Sequence, residues 1–277
     1  MSKRNTQQEK TAARERLRAE RERQAKKEAR NRQLKVGGGV LAVLVIAGGV
    51  VFGVSQASGG GSGSGASGQW ASAEKDPLVK PKNTSGKDGT TVVVGKADAK
   101  KTLQMYEDPR CPVCAQFEQT VGSTVDKGVE DGTYKVQYIG ATFLDGNLGG
   151  SGSKNALSAL GAALNVSPDA FWHFKSAMYT KDNHPDEQTD TFNSDAALIK
   201  IADQVPELKG DKAFQKDVKD GTFDKWALTM SDKFDKSGVQ GTPTLEMDGK
   251  KLTSPGSDNA PMTVADFTSA LDPLLKG

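Results

Sequence analysis

The chain has only two cysteines in 277 residues, and they stand together as Cys111 and Cys114 in "EDPRCPVCAQFE". Their surroundings limit the fold more than any other feature. "KTLQMYED", Lys101 to Asp108, has β-compatible residues that end on a polar pair, the pattern of a strand. Beyond the cysteines, Val113, Phe117, Val121 and Val125 recur every four residues, which predicts a helix with one buried face and Gly128 as its stop. "YKVQYIG", Tyr134 to Gly140, alternates as a second strand, and "TTVVVG" before Lys101 reads as a short one. The C-x-x-C therefore falls where a strand gives way to a helix, with another strand to follow.

Three chemistries compete for such a pair. A zinc site needs four ligands, or three and a water. Apart from the cysteines, the chain offers two histidines, His173 and His184, eleven residues apart and outside the usual close spacing. They read as packed or exposed side chains, and no metal is expected. A structural disulfide closing so small a loop removes little unfolded-chain entropy. A redox dithiol uses the position best. At a helix start the unpaired N–H groups and the positive dipole end favour a thiolate at Cys111. Pro112 suits the first helical turn. Cys114, one turn in and buried, is placed to resolve a mixed disulfide. The expectation is one exposed, acidic thiol and one resolving thiol.

A second motif lies far along the chain. "GVQGTPTLEMDGK" sets Thr242-Pro243 directly before a strand, where a proline disrupts the ladder unless the peptide is cis at an edge or bend. With "YEDPRCPVCAQFE" and the long helical stretch between the two, the chain resembles the thioredoxin-fold superfamily. It is most similar to the DsbA-like thiol:disulfide oxidoreductases, above all the membrane-anchored type of Gram-positive and actinobacterial envelopes. The resemblance implies an α/β thioredoxin fold over about residues 88–277, with a helical domain inserted at about 150–235. It implies Cys111 as nucleophile, Cys114 as resolving thiol, a redox disulfide between them, and Pro243 as the cis-proline facing it. Thr242, with Pro112 and Val113, would meet substrate, the backbone at Thr242 pairing with an extended peptide. No metal or organic cofactor is implied.

The chain departs from that pattern twice. Val113 stands where the strongest oxidants of the family carry a histidine, so the Cys111 thiol should be acidic but not extremely so. Met105 stands six residues before Cys111, where many relatives have a buried acid that assists proton transfer. Glu107 or Asp108 could take over that work, or both could be a solvated strand end.

The segment between the motifs is helical by pattern. "SKNALSALGAALNV", "SPDAFWHFKSAMYT", "SDAALIKIADQV" and "DKAFQKDVKDGTFDKWALTMSDKFDKSG" each read as helix. The aromatic run "AFWHF" reads as core before it reads as a client-binding surface. "VQGTPTLEMDGKKL" gives two short strands turning at Asp248-Gly249, and "MTVADFTSALDPLL" a final amphipathic helix.

The N-terminal part is of another kind. Residues 1–35 carry 13 Lys/Arg and 5 Asp/Glu, a net charge of +8, whereas the chain as a whole is +2. Val36 to Val54 then holds no charged or polar side chain, and as a helix it would span roughly 28 Å, close to the apolar thickness of a bilayer. The positive-inside rule expects a single-pass anchor with a cytoplasmic N-terminus and the body outside. The basic tail fits an anionic lipid surface and not a nucleic-acid partner. Residues 55–88, rich in Gly, Ser and Pro, read as a flexible linker, with the thioredoxin-like domain at 89–277. The expected function is an extracytoplasmic oxidase acting on unfolded or reduced exported proteins. By family analogy a membrane reoxidase of DsbB or vitamin K epoxide reductase type would restore it. Alternatives are a disulfide reductase or isomerase, and a non-catalytic envelope binding module on the same fold.

Overall fold

The computed structural model describes residues 64–276. The basic tail, the apolar run Val36–Val54 and the start of the linker lie outside the described residues. None of the described helices is long and apolar enough to cross a membrane.

Five strands form one mixed sheet: β1 (Val92–Val94), β2 (Thr102–Glu107), β3 (Lys135–Gly140), β4 (Thr244–Met247) and β5 (Lys250–Lys251), in the order β1-β3-β2-β4-β5. Only β2 and β3 run parallel. A parallel pair needs a crossover, and the 20-residue helix α2 (Pro112–Asp131) supplies it. That helix passes the predicted stop. Gly128 lies inside it under the Tyr134 ring, and the chain turns instead at Gly132, whose φ of 76° glycine adopts without strain. The five-strand, β2–α2–β3-centred arrangement is the expected thioredoxin fold. Its outermost strand β5 is short and carries exposed Lys250 and Lys251, which blunts that edge.

Between β3 and β4 lies the helical insertion: α3 (Phe143–Leu148), α4 (Gly152–Val166), α5 (Pro168–Met178), α6 (Asp195–Ala202), α7 (Lys212–Lys219) and α8 (Asp224–Asp235). It begins with α3, a short helix that the periodicity did not show, rather than near residue 150. Helix α9 (Val264–Leu275) closes the fold, and Phe267 meets Phe117 of α2 edge-on. Phe171, Trp172 and Phe174 of "AFWHF" are buried, and Phe171 packs edge-on against Tyr138 of β3, so the run is core. One hydrophobic cluster runs from the sheet through the insertion without a break. Insert and sheet are one packed body, and a side chain of the insert can reach the strands.

The body also starts earlier than its composition suggests. Helix α1 (Ser64–Ala73) buries Trp70 and Ala73, and Gln69 donates to Asp224 of α8 at 2.8 Å. Asn83 donates to the carbonyl of Leu164 at 2.8 Å. The second half of the Gly/Ser/Pro-rich stretch is therefore packed rather than free, because a single tryptophan supplies enough apolar area to dock an otherwise polar segment.

Candidate active site

Strand β2 ends at Glu107, and four residues, Asp108 to Cys111, lead into α2. Cys111 is the N-cap of α2, in extended conformation, and its Sγ accepts the Cys114 N–H at 3.4 Å. Pro112 follows at the first helical position, where no N–H is needed. The Thr242-Pro243 peptide is cis and sits opposite, with the Thr242 carbonyl 3.5 Å from Cys111 Sγ. Two motifs 131 residues apart in the chain thus meet at one sulfur.

Both cysteines are free thiols. Cys114 has no exposed surface, and Cys111 keeps 6% of its own. The expectation of an exposed Cys111 is corrected here. Leu144 of α3 and Tyr179, just after α5, wall in the dithiol together with Ala115, and the Thr242 carbonyl covers part of the rest. The neighbouring Pro112 and Val113 are exposed instead.

The two sulfurs are electrically unlike. The hydrogen bond with the Cys114 thiol is the largest influence on Cys111 and lowers its pKa, against the opposing effect of burial. Cys114 is pushed well above the ordinary thiol range, first by burial and then by its hydrogen bond with Cys111 and that neighbour's charge. The outer sulfur is thus the more acidic of the two, and the inner one holds its proton more tightly.

Glu107 and Asp108 are fully buried, so the solvated reading of that strand end does not hold. They do different work. Asp108 accepts from Ser153 Oγ at 2.6 Å, from the Arg110 N–H at 3.0 Å and from the Leu144 N–H at 3.1 Å. Its backbone carbonyl takes the Tyr179 hydroxyl at 3.0 Å. It is a tie between the active-site loop and the insert, and burial raises its pKa to about 6. Arg110 adds to that tie, with Nη1 at 2.9 Å from Asp145 and 3.2 Å from Asp190.

Glu107 has no hydrogen-bond partner on either carboxyl oxygen. Burial lifts its pKa well above the ordinary range, and the Glu118 carboxylate adds to the rise while Lys175 opposes it. Side chains alternate along a strand, so Met105 and Glu107 share one face of β2. An acid two residues nearer Cys111 thus occupies the face on which Met105 stands without one.

Sequence reasoning missed Lys175 and Glu118. The Lys175 ammonium, on α5 and without exposed surface, lies 2.6 Å from Glu118 Oε1 and 3.7 Å from Glu107 Oε2. Both signals were available in the pattern. Lys175 falls four residues after Phe171 and three before Met178, on the apolar face of α5. Glu118 falls four after Cys114 on α2. A charge on a buried stripe needs a partner. His173 is exposed and pairs with Glu207 at 3.0 Å, whereas His184 stacks on Tyr179 and meets the Pro109 carbonyl at 3.1 Å.

Known proteins bear on this geometry. The family model described as thioredoxin matches residues 87–273. The chain belongs to the thioredoxin family. It is 26% identical over 161 residues to disulfide bond formation protein D of Bacillus subtilis, covering 58% of this chain and 68% of that one. In structure it is similar to oxidised BdbD of Bacillus subtilis, with a TM-score of 0.56 and 21% identity over 72% of this chain and all of that one. It is also similar to reduced DsbA of Mycobacterium tuberculosis, with a TM-score of 0.53 and 24% identity over 66% of this chain and all of that one. Within the thioredoxin family, the likeness is to DsbA-type thiol:disulfide oxidoreductases.

Proposed function

We propose that the chain is an extracytoplasmic thiol:disulfide oxidase that introduces disulfides into exported proteins. The observation that carries this reading is the asymmetry of the pair: a thiol made acidic at a helix N-terminus opposite cis-Pro243, backed by a thiol that keeps its proton. Stabilising the Cys111 thiolate stabilises the reduced pair, and a stable reduced pair makes the disulfide an oxidant. The charge asymmetry between the basic tail and the rest, with the apolar run Val36–Val54, supports a membrane anchor with the body outside.

In this reading a substrate thiolate attacks Sγ of Cys111 in the Cys111–Cys114 disulfide. The S–S bond breaks and the electron pair leaves on Cys114, which takes a proton from Glu107. A second substrate thiolate then attacks the substrate sulfur of the mixed disulfide, and Cys111 departs as its stabilised thiolate. The substrate has lost two electrons and the pair has gained them. Thr242 and the exposed Pro112 and Val113 border the approach and contact the client chain. A membrane reoxidase, of DsbB or vitamin K epoxide reductase type by family analogy, returns the pair to the disulfide.

The test is the reduction potential of the full-length chain, equilibrated with glutathione, with Cys111→Ser as control. A value near or above roughly −180 mV places the chain with the oxidants. A value near −270 mV or lower overturns the oxidase reading and leaves a reductase.

A further inference from the structure

We propose that His184, in the loop that follows α5, is a positioning residue for the Cys111 thiolate: it holds the Pro109 carbonyl of the turn that delivers Cys111 to the start of α2. The inference rests on Cys111 as the reacting thiol of the proposed function, and not on the direction in which electrons flow.

The turn runs from Asp108 to Cys111. The Cys111 N–H donates to the Asp108 carbonyl at 2.9 Å, and the Asp108 carboxyl takes the Arg110 N–H at 3.0 Å. Pro109 fits the second position of such a turn, where its fixed φ is an advantage. The carbonyl at that position has no partner inside a turn of this kind. The insertion supplies one. His184 Nε2 lies 3.1 Å from the Pro109 oxygen, and the Tyr179 hydroxyl reaches the Asp108 carbonyl at 3.0 Å. The two rings stack with centroids 5.7 Å apart, and Phe192 meets the imidazole edge-on. Two side chains from one segment thus hold consecutive carbonyls of the active-site turn.

That segment is built to present the ring. The His184 N–H donates to the Thr180 carbonyl at 2.9 Å. Asn183 donates to the Ala177 carbonyl at 2.9 Å and pairs with Gln204. None of these bonds touches the turn, so the ring's place is set independently of what it holds. Any aromatic side chain could fill the space, and a hydrogen-bond donor at that edge is what histidine adds. Burial holds the imidazole below its ordinary pKa, so near pH 7 it carries one proton. A carbonyl only accepts, so that proton belongs on Nε2. The Pro185 carbonyl also favours a protonated ring, which makes the tautomer the first point to test.

The consequence falls on Cys111. Its thiolate is favoured by the Cys114 thiol and N–H, and both stay in reach while Cys111 keeps its place at the N-cap. A turn held at both carbonyls keeps it there. The donors also draw off the negative ends of two peptide dipoles that lie just before the thiolate, where negative potential disfavours it.

The experiment compares the full-length chain with variants at positions 184 and 179. The chain has two histidines to assign, and nitrogen NMR at pH 7 should place the His184 proton on Nε2. A proton on Nδ1 alone overturns the assignment, and this reading needs no variant to fold. Cys111 ionisation is then followed by thiolate absorbance, and the equilibrium of the pair with glutathione is measured alongside. His184→Phe keeps the stack and removes the donor. It should raise the Cys111 pKa by up to about one unit and shift the equilibrium toward the disulfide by roughly two- to tenfold, the range for one net hydrogen bond. His184→Gln, whose amide reaches where Nε2 lies, should restore most of both. Tyr179→Phe should move both readings in the same direction as His184→Phe, through the Asp108 carbonyl. A His184→Phe chain with native circular dichroism and wild-type readings would leave His184 a packing role and overturn the proposal. A His184→Gln chain no better than His184→Phe would overturn it too, because the donor would not be what matters. Each comparison is a ratio to wild type, so it holds whether the wild-type potential supports an oxidase or a reductase.

Discussion

Cys111 is stabilised first by the side-chain hydrogen bond with Cys114, and less by the Cys114 N–H at the start of α2. The adjacent Val113 side chain is exposed and donates nothing. Replacing Val113 with histidine places an imidazole beside the thiolate, where a cation or a donor favours the charged form. The Val113→His chain should have a lower Cys111 pKa, read from thiolate absorbance. Its reduction potential should rise by about 30 mV or more, equivalent to ~1.4 kcal/mol in favour of the reduced pair. An unchanged potential would mean that Cys114, Thr242 and the helix terminus set the thiolate without help from position 113. At this scale the sequence was legible wherever a motif fixed a residue's place on an element. Cys111, Cys114, Thr242 and Pro243 lie together as the family resemblance implied. The exposure of Cys111 was not legible, because Leu144 and Tyr179, which cover it, are 33 and 68 residues further on by the numbering. Glu107 and Asp108 were recognisable as candidates, but only the packed insert shows that one is an unpartnered acid and the other a tie.

Between elements, Asp108 fastens the loop before α2 to α3 and α4 through Leu144 and Ser153. Its carboxyl has a pKa raised by burial from 3.8 to about 6, so its linkage runs opposite to that of a salt-bridged aspartate. Below about pH 4 both folded and unfolded states hold the proton, and the group costs nothing. From about pH 4 to 6 only the folded state holds it, so stability falls as pH rises, and above about pH 6 the cost is complete at about 3 kcal/mol. Asp108→Asn abolishes this titration but sets an amide donor against one of the three donors, losing about 1–3 kcal/mol at every pH. Denaturant unfolding should therefore show the wild type ahead at pH 4, with its lead shrinking by about 3 kcal/mol by pH 7. Parallel curves would show that Asp108 does not carry the pH dependence. The element boundaries tell a similar story. Strands and long helices followed from periodicity. The stop of α2 did not, because Gly128 is small to admit the Tyr134 ring rather than to end a helix. Helix α3 is six residues long, too short for a period to declare itself.

For the whole molecule, the decisive finding is that the packed body reaches back to α1. Trp70 and the Gln69–Asp224 hydrogen bond hold the segment to α8, so residues 64–276 carry their own core and their own site. Nine residues of Gly/Ser-rich composition separate Val54 from Ser64. Truncation before Ser64 should separate two properties that the full chain holds together. The truncated body should keep the reduction potential of the full chain within about 10 mV, a third of the 30 mV that marks ~1.4 kcal/mol. It should lose sedimentation with membranes, whereas the full chain should remain in the pellet after carbonate washing. Truncation before Thr90 instead removes Trp70 and Asn83 from their contacts, and it should lower the unfolding midpoint as well. If the shorter body were as stable as the longer one, α1 would be a passenger. If the Ser64 body stayed in the membrane pellet, Val36–Val54 would not be the anchor.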